Sequence, residues 1–475
     1  MRANRINDTL HEECAVFGTA VDSTEAAGIT YNALLALQHR GQEGAGIAVL
    51  KDNTIACHKG VGLVSEVFSG EAIHTLPASS FAIGHDRYST TGKNSVENAQ
   101  PFVTEYLKGR IATAHNGNIT NSGALRDKLA AFGCGFTASS DTEVISVLIA
   151  YEAVRHERIE EAVAAAAGQL GGAFSLVILS SEGKLIAVRD SHGFRPLCLG
   201  KNEGGYAVAS ESCALDSAGF QFVRDIHPGE MVVIDKSGII LEQQILKSTK
   251  SGLCVFEYVY FSRPDSDIDG LSVYKARYNM GKTLAKEHPA DADIVCGVLD
   301  SGLEAAMGYA AESGIPLAAG FVKNRYIGRS FIFPTQAQRD AAVKMKLNPL
   351  RCNLEGKRVI LVDDSIVRGT TSEKIIKSVR SAGAKEVHMR ISSPPFRHPC
   401  YFGTDVDSEE NLIANQMKME QICRKIGADS LGFLSVEGLI SACRECRLDF
   451  CTGCFDGNYP VDVEKHTKTQ FEEEK

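Results

Sequence analysis

The stretch RVILVDDSIVRGTT, residues 358–371, decides the fold of the half of the chain in which it lies. Four apolar residues are followed directly by the adjacent acids Asp363 and Asp364. A short polar loop then leads into EKIIKSVRSAG, whose apolar residues recur at helical spacing. Main-chain N–H groups at a helix N-terminus attract anions. The stretch therefore predicts an α/β unit with a phosphate site at the end of a buried strand.

The two acids need a role other than contact with a bare phosphate, because like charges repel. Carboxylates accept hydrogen bonds from ribose hydroxyls, and they bind Mg²⁺ directly or through water. The structural alternative is a Rossmann-like loop in which Asp363 and Asp364 merely cap the next helix. The complete strand, loop and helix context favours ligand binding over that alternative.

The same pattern extends to the neighbouring sequence. The apolar run DADIVCGVLD, residues 291–300, is followed by Ser301 and then by the helical stretch LEAAMGYAAESG. Another short run covers residues 317–322, and EVHMRIS follows the helix after residue 371. Apolar runs that alternate with helices predict parallel strands buried on both faces of a sheet.

The sequence from Cys14 to about Leu246 has a different pattern. Many short strand-like runs, such as AVFGTA, GIAVL, AFSLVIL and EMVVID, are separated by turn residues at hairpin spacing. Helical patterns interrupt them at residues 25–38 and 141–169. Together they predict an α+β half with largely antiparallel sheets. The change of pattern places a boundary at residues 246–252, LKSTKSG.

Length and composition exclude several classes of protein. A chain of 475 residues can form two or three domains. A net charge of −9 without a basic run argues against nucleic acid as a partner. No apolar stretch reaches the ~18–20 residues that a membrane span needs. Residues 1–13 lack the apolar core of a secretory signal, so we expect a cytoplasmic protein whose cysteines are not paired in disulfides.

Cys14 is a candidate nucleophile. Its thiol needs a base, and a free α-amino group with a pKa of about 7.7–8.0 would serve if cleavage after Glu13 made Cys14 the first residue. His39 and Arg40 are interpreted as structural or relay residues rather than as that base. A buried core cysteine is the structural alternative, since Cys is among the most buried residue types.

Five motifs of the first half resemble those of the N-terminal-nucleophile glutaminases: CAVFG, LQHRGQEGAGIA, IGHDRYSTTG, AHNGNITN and SSDTE. The resemblance implies an αββα sandwich in which Cys14 is the nucleophile. It also implies that Arg87 binds the α-carboxylate of glutamine and Asp141 its α-amino group. Asn116 and Gly117 would form the oxyanion hole. These roles suit the groups, because a guanidinium matches a carboxylate and amide N–H groups stabilise an oxyanion.

Residues 358–371 resemble the binding loop of the type I phosphoribosyltransferases. The resemblance implies that the acidic pair contacts ribose hydroxyls and that residues 365–371 hold the 5′-phosphate. Ser301, in a sequence similar to the family's pyrophosphate loop, would bind Mg²⁺ with the two acids. The implied ligands of phosphoribosyl pyrophosphate are Asp363, Asp364, Ser365, Val367, Arg368, Gly369, Thr370 and Thr371. Between the two α/β units lies a segment rich in basic residues, among them Lys323, Arg325 and Lys344, which would close over the pyrophosphate; a solvated surface loop is the alternative.

A glutaminase followed by a phosphoribosyltransferase resembles the amidophosphoribosyltransferase family over about residues 14–460. The implied reaction converts glutamine, phosphoribosyl pyrophosphate and water into 5-phosphoribosylamine, glutamate and pyrophosphate, the first committed step of purine synthesis. Ammonia would pass between the sites through an internal channel. The implied protein is a homotetramer inhibited by purine nucleotides. A regulator that binds phosphoribosyl pyrophosphate without turnover is the alternative.

The implied organisation has four parts. Residues 1–13 would be a propeptide removed autocatalytically, and residues 14–246 a glutaminase domain. Residues 252–462 would form an α/β phosphoribosyltransferase domain with a parallel sheet, followed by a polar tail at 463–475. A back half from another amidotransferase, such as a sugar isomerase or an ATP-binding domain, would not contain VILVDDSIVRGTT.

The C-terminal segment SACRECRLDFCTGCFDGNYP contains two C-x-x-C pairs, whose four thiolates would suit zinc. One branch of the family instead carries a 4Fe–4S cluster on one such pair and two distant cysteines. Buried thiols without metal are a third interpretation. The first pair is Cys443 and Cys446; the resemblance implies cluster ligands Cys254, Cys400, Cys451 and Cys454.

Overall fold

The computed structural model describes residues 14–70, 72–88, 94–248, 250–324, 347–404, 406 and 408–461. The expected propeptide, the expected tail from residue 463, and the candidate ligands Arg325 and Lys344 lie outside these residues. Among the described residues, no helix combines the length and the apolar character that crossing a membrane requires.

The described part of the first half consists of short strands and six α-helices. The strands are β1 Ala15–Val21, β2 Gly44–Lys51, β3 Thr54–Val61, β4 Phe81–Arg87, β5 Phe102–Tyr106, β6 Gly109–Ile119, β7 Gly172–Ser180, β8 Lys184–Arg189, β9 Cys198–Asn202, β10 Gly205–Ala209, β11 Gln221–Asp225, β12 Glu230–Asp235 and β13 Gly238–Gln244. The helices are α1 Ala26–Leu37, α2 Val64–Val67, α3 Ser122–Ala131, α4 Asp141–Glu152, α5 Ile159–Ala167 and α6 Ser212–Ser217.

Within the described residues, these strands form two antiparallel sheets, in the orders β11-β9-β10-β1-β4-β2-β3 and β13-β12-β8-β7-β6-β5. Alternate residues of a strand point to opposite faces of its sheet. Val16 accordingly packs between the sheets with Ala114 and Val177, whereas Phe17 packs beneath α1. Helices α4 and α5 cover the outer face of the other sheet. The predicted αββα sandwich is therefore confirmed.

The helical pattern at residues 141–169 forms two helices rather than one. Arg158 lies between them in an extended conformation, with φ −107° and ψ 142°. Its N–H donates a hydrogen bond to the Glu161 carboxylate at 3.4 Å. This contact, from the residue before the helix to the glutamate three positions on, is one half of a capping box. A new helix starts at Ile159.

The second half contains the following described elements. Its strands are β14 Leu253–Cys254, β15 Asp267–Ile268, β16 Leu271–Ser272, β17 Ile294–Gly297, β18 Phe321–Lys323, β19 Leu347–Pro349, β20 Arg358–Asp363, β21 Glu386–Ile391, β22 Ser430–Phe433 and β23 Phe450–Cys451. Its helices are α7 Val273–Glu287, α8 Leu303–Ser313, α9 Arg351–Leu354, α10 Thr370–Ser381, α11 Ile413–Gln416, α12 Met419–Ile426, α13 Val436–Ala442 and α14 Gly453–Asp456, with a π-helix at Glu257–Phe261.

The main sheet of this half has the order β17-β20-β21-β22, and all its neighbouring strands are parallel. Ile360 and Val362 pack on one face with residues of α7 and α8. Val359 and Leu361 pack on the other face with residues of α10 and α12. The predicted parallel sheet, buried on both faces, is confirmed.

The run at residues 317–322 was expected to form another parallel strand, and that expectation is wrong. Only Leu317 pairs with β17, through an isolated bridge to Val295. The Pro316 oxygen accepts a hydrogen bond from the Val295 N–H at 2.9 Å, but Pro316 has no N–H and so limits the pairing on its N-terminal side. The following residues form β18, which pairs antiparallel with β19 instead. The fourth parallel strand, β22, was not identified from the sequence.

Candidate active sites

Cys14 lies directly before β1 and is 7% exposed. Its thiol donates a hydrogen bond to the main-chain oxygen of Tyr88 at 3.4 Å, and the Tyr88 N–H lies 3.5 Å from the sulfur. Tyr88 follows β4, which pairs with β1 so that Ala15 faces Asp86. This register places Cys14 beside the end of β4, where Arg87 lies.

Arg87 and Asp141 are buried residues of opposite charge, and Arg87 feels the charges of both Cys14 and Asp141. Burial lowers the pKa of Arg87, whereas Cys14 and the carboxylates of Glu43 and Asp141 oppose that shift. Burial would raise the pKa of Asp141, but His115, 3.8 Å away, helps to hold it below its usual value. Asp141 is therefore a carboxylate at neutral pH. One cation and one anion in a buried site complement the carboxylate and ammonium groups of a free amino acid.

Asn116 and Gly117 lie on β6, near the end at which Asp141 accepts a hydrogen bond from the Ile119 N–H at 3.1 Å. Asn116 is 1% exposed, and its Nδ2 has no hydrogen-bond partner among the described residues. Gly117 has φ +140°, and a Cβ here would lie 2.1 Å from the Ala173 oxygen. A buried amide donor without an acceptor is costly, and a substrate oxyanion would satisfy it.

A network of buried ion pairs contacts the main chain of Cys14. Arg40 donates from Nε to the Cys14 oxygen at 3.2 Å, from Nη1 to Glu211 at 2.7 Å and from Nη2 to Glu257 at 2.8 Å. Removing one partner of such a buried pair costs about 3–5 kcal/mol. His39 also contacts Glu211, at 2.7 Å. Glu211 and Glu257 were not identified from the sequence, because both lie far from Cys14 and Arg40 along the chain.

In the second half, the predicted ligands of Mg²⁺ meet at the end of β20. The Ser301 hydroxyl donates to one oxygen of Asp364, and the Ser365 hydroxyl donates to the other. Burial raises the pKa of Asp363, and the Asp364 carboxylate raises it further. Burial also raises the pKa of Asp364. Two adjacent buried carboxylates favour a cation or hydroxyl donors over an anion at this position.

Two glycines shape this site. A Cβ on Gly302 would lie 2.4 Å from the Val362 oxygen, so the loop after β17 packs directly on the end of β20. Gly369 has φ +84° and precedes α10, a conformation that an L side chain would strain. Lys323, on β18, forms an ion pair with Asp300, which lies in the same loop after β17 as Gly302.

The remaining predicted ligands follow the acids in the loop before α10 and in its first turn. Val367 and Arg368 are half-buried, and the Val367 oxygen accepts a hydrogen bond from the Ile413 N–H at 2.9 Å. Thr370 and Thr371 are the first two residues of α10. The loop therefore lies where the helix N-terminus would meet a phosphate group.

Sequence reasoning missed Arg277, which lies on α7 and is buried. Its guanidinium lies 3.7 Å from the Glu304 carboxylate. Burial raises the pKa of Asp364, and the positive charge of Arg277 opposes this rise in part. Arg277 also donates to the main-chain oxygens of Tyr258 at 2.9 Å and Ser262 at 2.7 Å. Arg277 thus connects the acidic site with the π-helix; a lone arginine on an amphipathic helix does not reveal such a role.

Four of the cysteines converge on one enclosed cavity with aromatic walls. Leu253 and Cys254 of β14 pair in parallel with Phe450 and Cys451 of β23. Burial raises the pKa of the Cys454 thiol, and the other three cysteines of the cavity add to the shift. The described residues include no group of three or more His, Cys, Asp or Glu placed to hold a metal ion. The cavity is lined by Cys254, Cys400, Cys451 and Cys454, not by Cys443 or Cys446.

Comparisons with known proteins agree with this two-site arrangement. The glutamine amidotransferase domain family matches residues 85–217, and the phosphoribosyl transferase domain family matches residues 273–393. The chain is 49% identical to the amidophosphoribosyltransferase of Synechocystis over 460 residues, which cover 96% of this chain and 92% of that protein. It is 45% identical to the amidophosphoribosyltransferase of Bacillus subtilis, with 96% of both chains covered.

Two solved structures share the fold over nearly the whole chain. The glutamine phosphoribosylpyrophosphate amidotransferase of B. subtilis, complexed with ADP and GMP, matches with a TM-score of 0.88 and 44% identity, covering 96% of this chain and 99% of that chain. A structure described as the allosteric regulatory enzyme of purine biosynthesis also matches with a TM-score of 0.88 and 44% identity, covering 95% and 97%.

Proposed function

The chain belongs to the amidophosphoribosyltransferase family and catalyses the first step of purine biosynthesis, and we propose that Cys14 acts in it as an N-terminal nucleophile. Removal of residues 1–13 frees the Cys14 α-amino group, which takes the proton of the thiol. The thiolate attacks the side-chain amide carbon of glutamine, the protonated α-amino group returns the proton to the amide nitrogen, and ammonia leaves. Water then hydrolyses the thioester to glutamate.

The surrounding residues bind and stabilise glutamine in this step. Arg87 pairs with its α-carboxylate and Asp141 with its α-amino group. The Asn116 amide and the Gly117 N–H donate to the oxyanion that forms when the amide carbon becomes tetrahedral. The observation that carries the proposal is the buried Asn116 amide, whose Nδ2 has no partner among the described residues, on the strand whose Ile119 N–H donates to Asp141.

In the second half, we propose that Asp363 and Asp364 bind the ribose hydroxyls, and that these acids and Ser301 hold Mg²⁺. Residues 365–371 bind the 5′-phosphate. Ammonia from Cys14 reaches the ribose C1 through an internal channel, and pyrophosphate leaves. Mg²⁺ supplies positive charge that stabilises the leaving group. Lys323, with Arg325 and Lys344, adds positive charge on the pyrophosphate side.

Removal of residues 1–13 is tested by measuring the intact mass of the active enzyme. We expect the active species to begin at Cys14, because only a terminal residue has a free α-amino group to act as base. N-terminal sequencing of the same sample identifies the first residue. Active enzyme that still carries residues 1–13 would contradict the N-terminal-nucleophile mechanism.

We further propose that the four-thiol cavity holds a 4Fe–4S cluster. The four half-buried thiols that line the cavity supply the ligand type that such a cluster needs, and aromatic side chains surround them, although the thiols as they lie here do not form a metal-ion site by themselves. Zinc is the other metal that four thiolates suit. The cluster is structural in this proposal, because its ligands join β14, at the start of the second half, to the C-terminal segment.

Substitution of cavity cysteines is expected to remove the metal. In anaerobically purified Cys451→Ser, we expect iron content and the visible absorption of the cluster to fall to background, because one thiolate ligand is lost. Cys446→Ser is the matched control, since Cys446 belongs to the other C-x-x-C pair and does not line the cavity. Stoichiometric zinc without iron in the unmodified protein would contradict the cluster and favour a zinc site.

Three further properties complete the proposal: a homotetramer, inhibition by purine nucleotides and a cytoplasmic location. The similar B. subtilis enzyme was solved in complex with ADP and GMP, which supports nucleotide binding here.

A further inference from the structure

A segment of the second half contacts the strand that carries the proposed oxyanion donors. Asn118, on β6, donates from Nδ2 to the Tyr401 oxygen at 2.8 Å. Gly403 has φ +117°, and a Cβ here would lie 3.3 Å from the carbonyl carbon of Gly117. Residues 401–403 therefore lie against β6 next to the proposed donors.

Among the strands that the structure describes, this part of β6 pairs with a neighbouring strand on one side only. Strand β5 pairs with β6 only as far as Thr113, whereas β7 pairs with β6 to Ile119. Within the described residues, the end of β6 that carries Asn116 and Gly117 therefore has a strand neighbour on one side only. Residues 401–403 contact this singly paired end.

The contacting segment is itself held rigidly. Arg195 is fully buried and donates from Nη2 to the Phe402 oxygen at 2.7 Å. The same guanidinium forms an ion pair with Glu257 at 3.4 Å. The ring of Phe402 stacks on Phe194, with centroids 4.2 Å apart and planes at 19°. A buried, charge-assisted anchor with a stacked ring fixes the main chain more firmly than a solvent-exposed loop would be fixed.

We propose that the main chain of residues 401–403 is a positioning element of the glutaminase site. It holds β6 at Gly117 and Asn118, and it thereby aims the Asn116 amide and the Gly117 N–H at the developing oxyanion. An oxyanion donor is effective only at about 2.7–3.1 Å from that oxygen, so a small shift of the strand weakens catalysis without abolishing substrate binding. The inference rests on the proposed function, in which these two groups are the oxyanion donors.

The test replaces Asn118 with aspartate, which has the same shape but presents an acceptor and a negative charge to the Tyr401 oxygen. Gly403→Ala, which adds no charge, separates displacement of the strand from repulsion of the oxyanion by the new carboxylate. We expect kcat with glutamine to fall roughly tenfold, less than the ~10²–10³-fold loss on removing a donor outright. The KM for glutamine and the activity with ammonium chloride should stay within about twofold of wild type, because Arg87 and Asp141 still bind glutamine and the transferase site is unchanged.

A binding measurement separates positioning from general damage. The Cys14 thiol adds to the carbonyl of the aldehyde analogue of glutamine and forms a tetrahedral thiohemiacetal, whereas the side-chain carboxylate of glutamate binds while its carbon stays trigonal. We expect Asn118→Asp to weaken the aldehyde by the same factor as kcat and to leave the affinity for glutamate unchanged. Gly403→Ala, whose Cβ would press on Gly117 and on Arg195 Nη2 at 3.0 Å, should give the same pattern.

Asn121→Asp is the matched control, because Asn121 also donates from Nδ2 to a main-chain oxygen, that of Gln169 at 2.9 Å, away from residues 401–403. It should keep the wild-type ratio of glutamine-dependent to ammonia-dependent activity. Asn116→Ala tests the underlying function and should lose glutamine-dependent activity about 10²–10³-fold.

The outcomes are distinguishable. If Asn116→Ala loses this activity but Asn118→Asp and Gly403→Ala keep the wild-type ratio and aldehyde affinity, the inference is wrong and the proposed function stands. Equal losses with glutamine and ammonia in both variants would also overturn the inference. If Asn116→Ala itself keeps full glutamine-dependent activity, the proposed oxyanion hole is wrong.

Discussion

Cys14→Ala is expected to lower glutamine-dependent release of pyrophosphate at least about 10³-fold while leaving ammonia-dependent release near the wild-type rate. The thiol is the proposed nucleophile, and no other group can form the thioester when it is removed. Ammonia supplied from solution bypasses this step, because it reacts at the ribose C1 in the other half. The measurement is pyrophosphate release from phosphoribosyl pyrophosphate with Mg²⁺ and either glutamine or ammonium chloride, on anaerobically purified protein.

Cys57→Ala is a suitable control, because Cys57 is an exposed residue of β3. It should behave as wild type with both nitrogen donors. Glutamine-dependent activity that persists in Cys14→Ala would show that another residue is the nucleophile. Loss of both activities in a folded variant would mean that Cys14 is also needed at the transferase site.

Asp364→Asn is expected to reduce activity with both nitrogen donors, by about 10²–10³-fold. Its carboxylate accepts hydrogen bonds from Ser301 and Ser365, and it is the proposed ligand of Mg²⁺ and the ribose hydroxyls. An amide keeps the shape but loses the negative charge that a hard cation prefers. Pyrophosphate release with each donor and calorimetric titration of phosphoribosyl pyrophosphate in the presence of Mg²⁺ provide the measurement.

The matched control is Asp216→Asn, which makes the same change at an exposed residue of α6. It should leave both activities and substrate affinity unchanged. If Asp364→Asn retained wild-type ammonia-dependent activity, the acidic pair would not be part of the transferase site. Loss of the glutamine-dependent activity alone would also contradict the assignment.

The sequence predicted those parts of the site that one continuous segment determines. Asp363 and Asp364 end a buried strand and Gly369 precedes the next helix, so residues 358–371 specify their own local geometry. The αββα sandwich was implied by the resemblance of five motifs, each of which lies at a strand end or a helix start. Their meeting at Cys14 follows from strand register, which places Arg87 beside it.

Interactions between distant segments were not predictable in the same way. Arg40 was noted in the sequence, but its contact with Glu211 depends on the fold of the first half, and its contact with Glu257 depends on how the two halves pack. The contact of Asn118 with Tyr401 likewise joins residues far apart in the chain. No periodicity or spacing encodes such pairs, because each side chain looks like an ordinary polar residue in its own segment.

The short pairing of β14 with β23 has a consequence for the order in which the protein is made. β14 emerges from the ribosome long before β23, which lies near the C-terminus, so the cavity of four cysteines closes only late in synthesis. Domains generally fold as units, N-terminal ones first, so the sandwich can form while the rest is still being translated. Residues 401–403 reach β6 only after most of the second half has been added. If residues 401–403 position the proposed oxyanion donors, a nascent chain hydrolyses glutamine more slowly until a transferase half exists to use the ammonia.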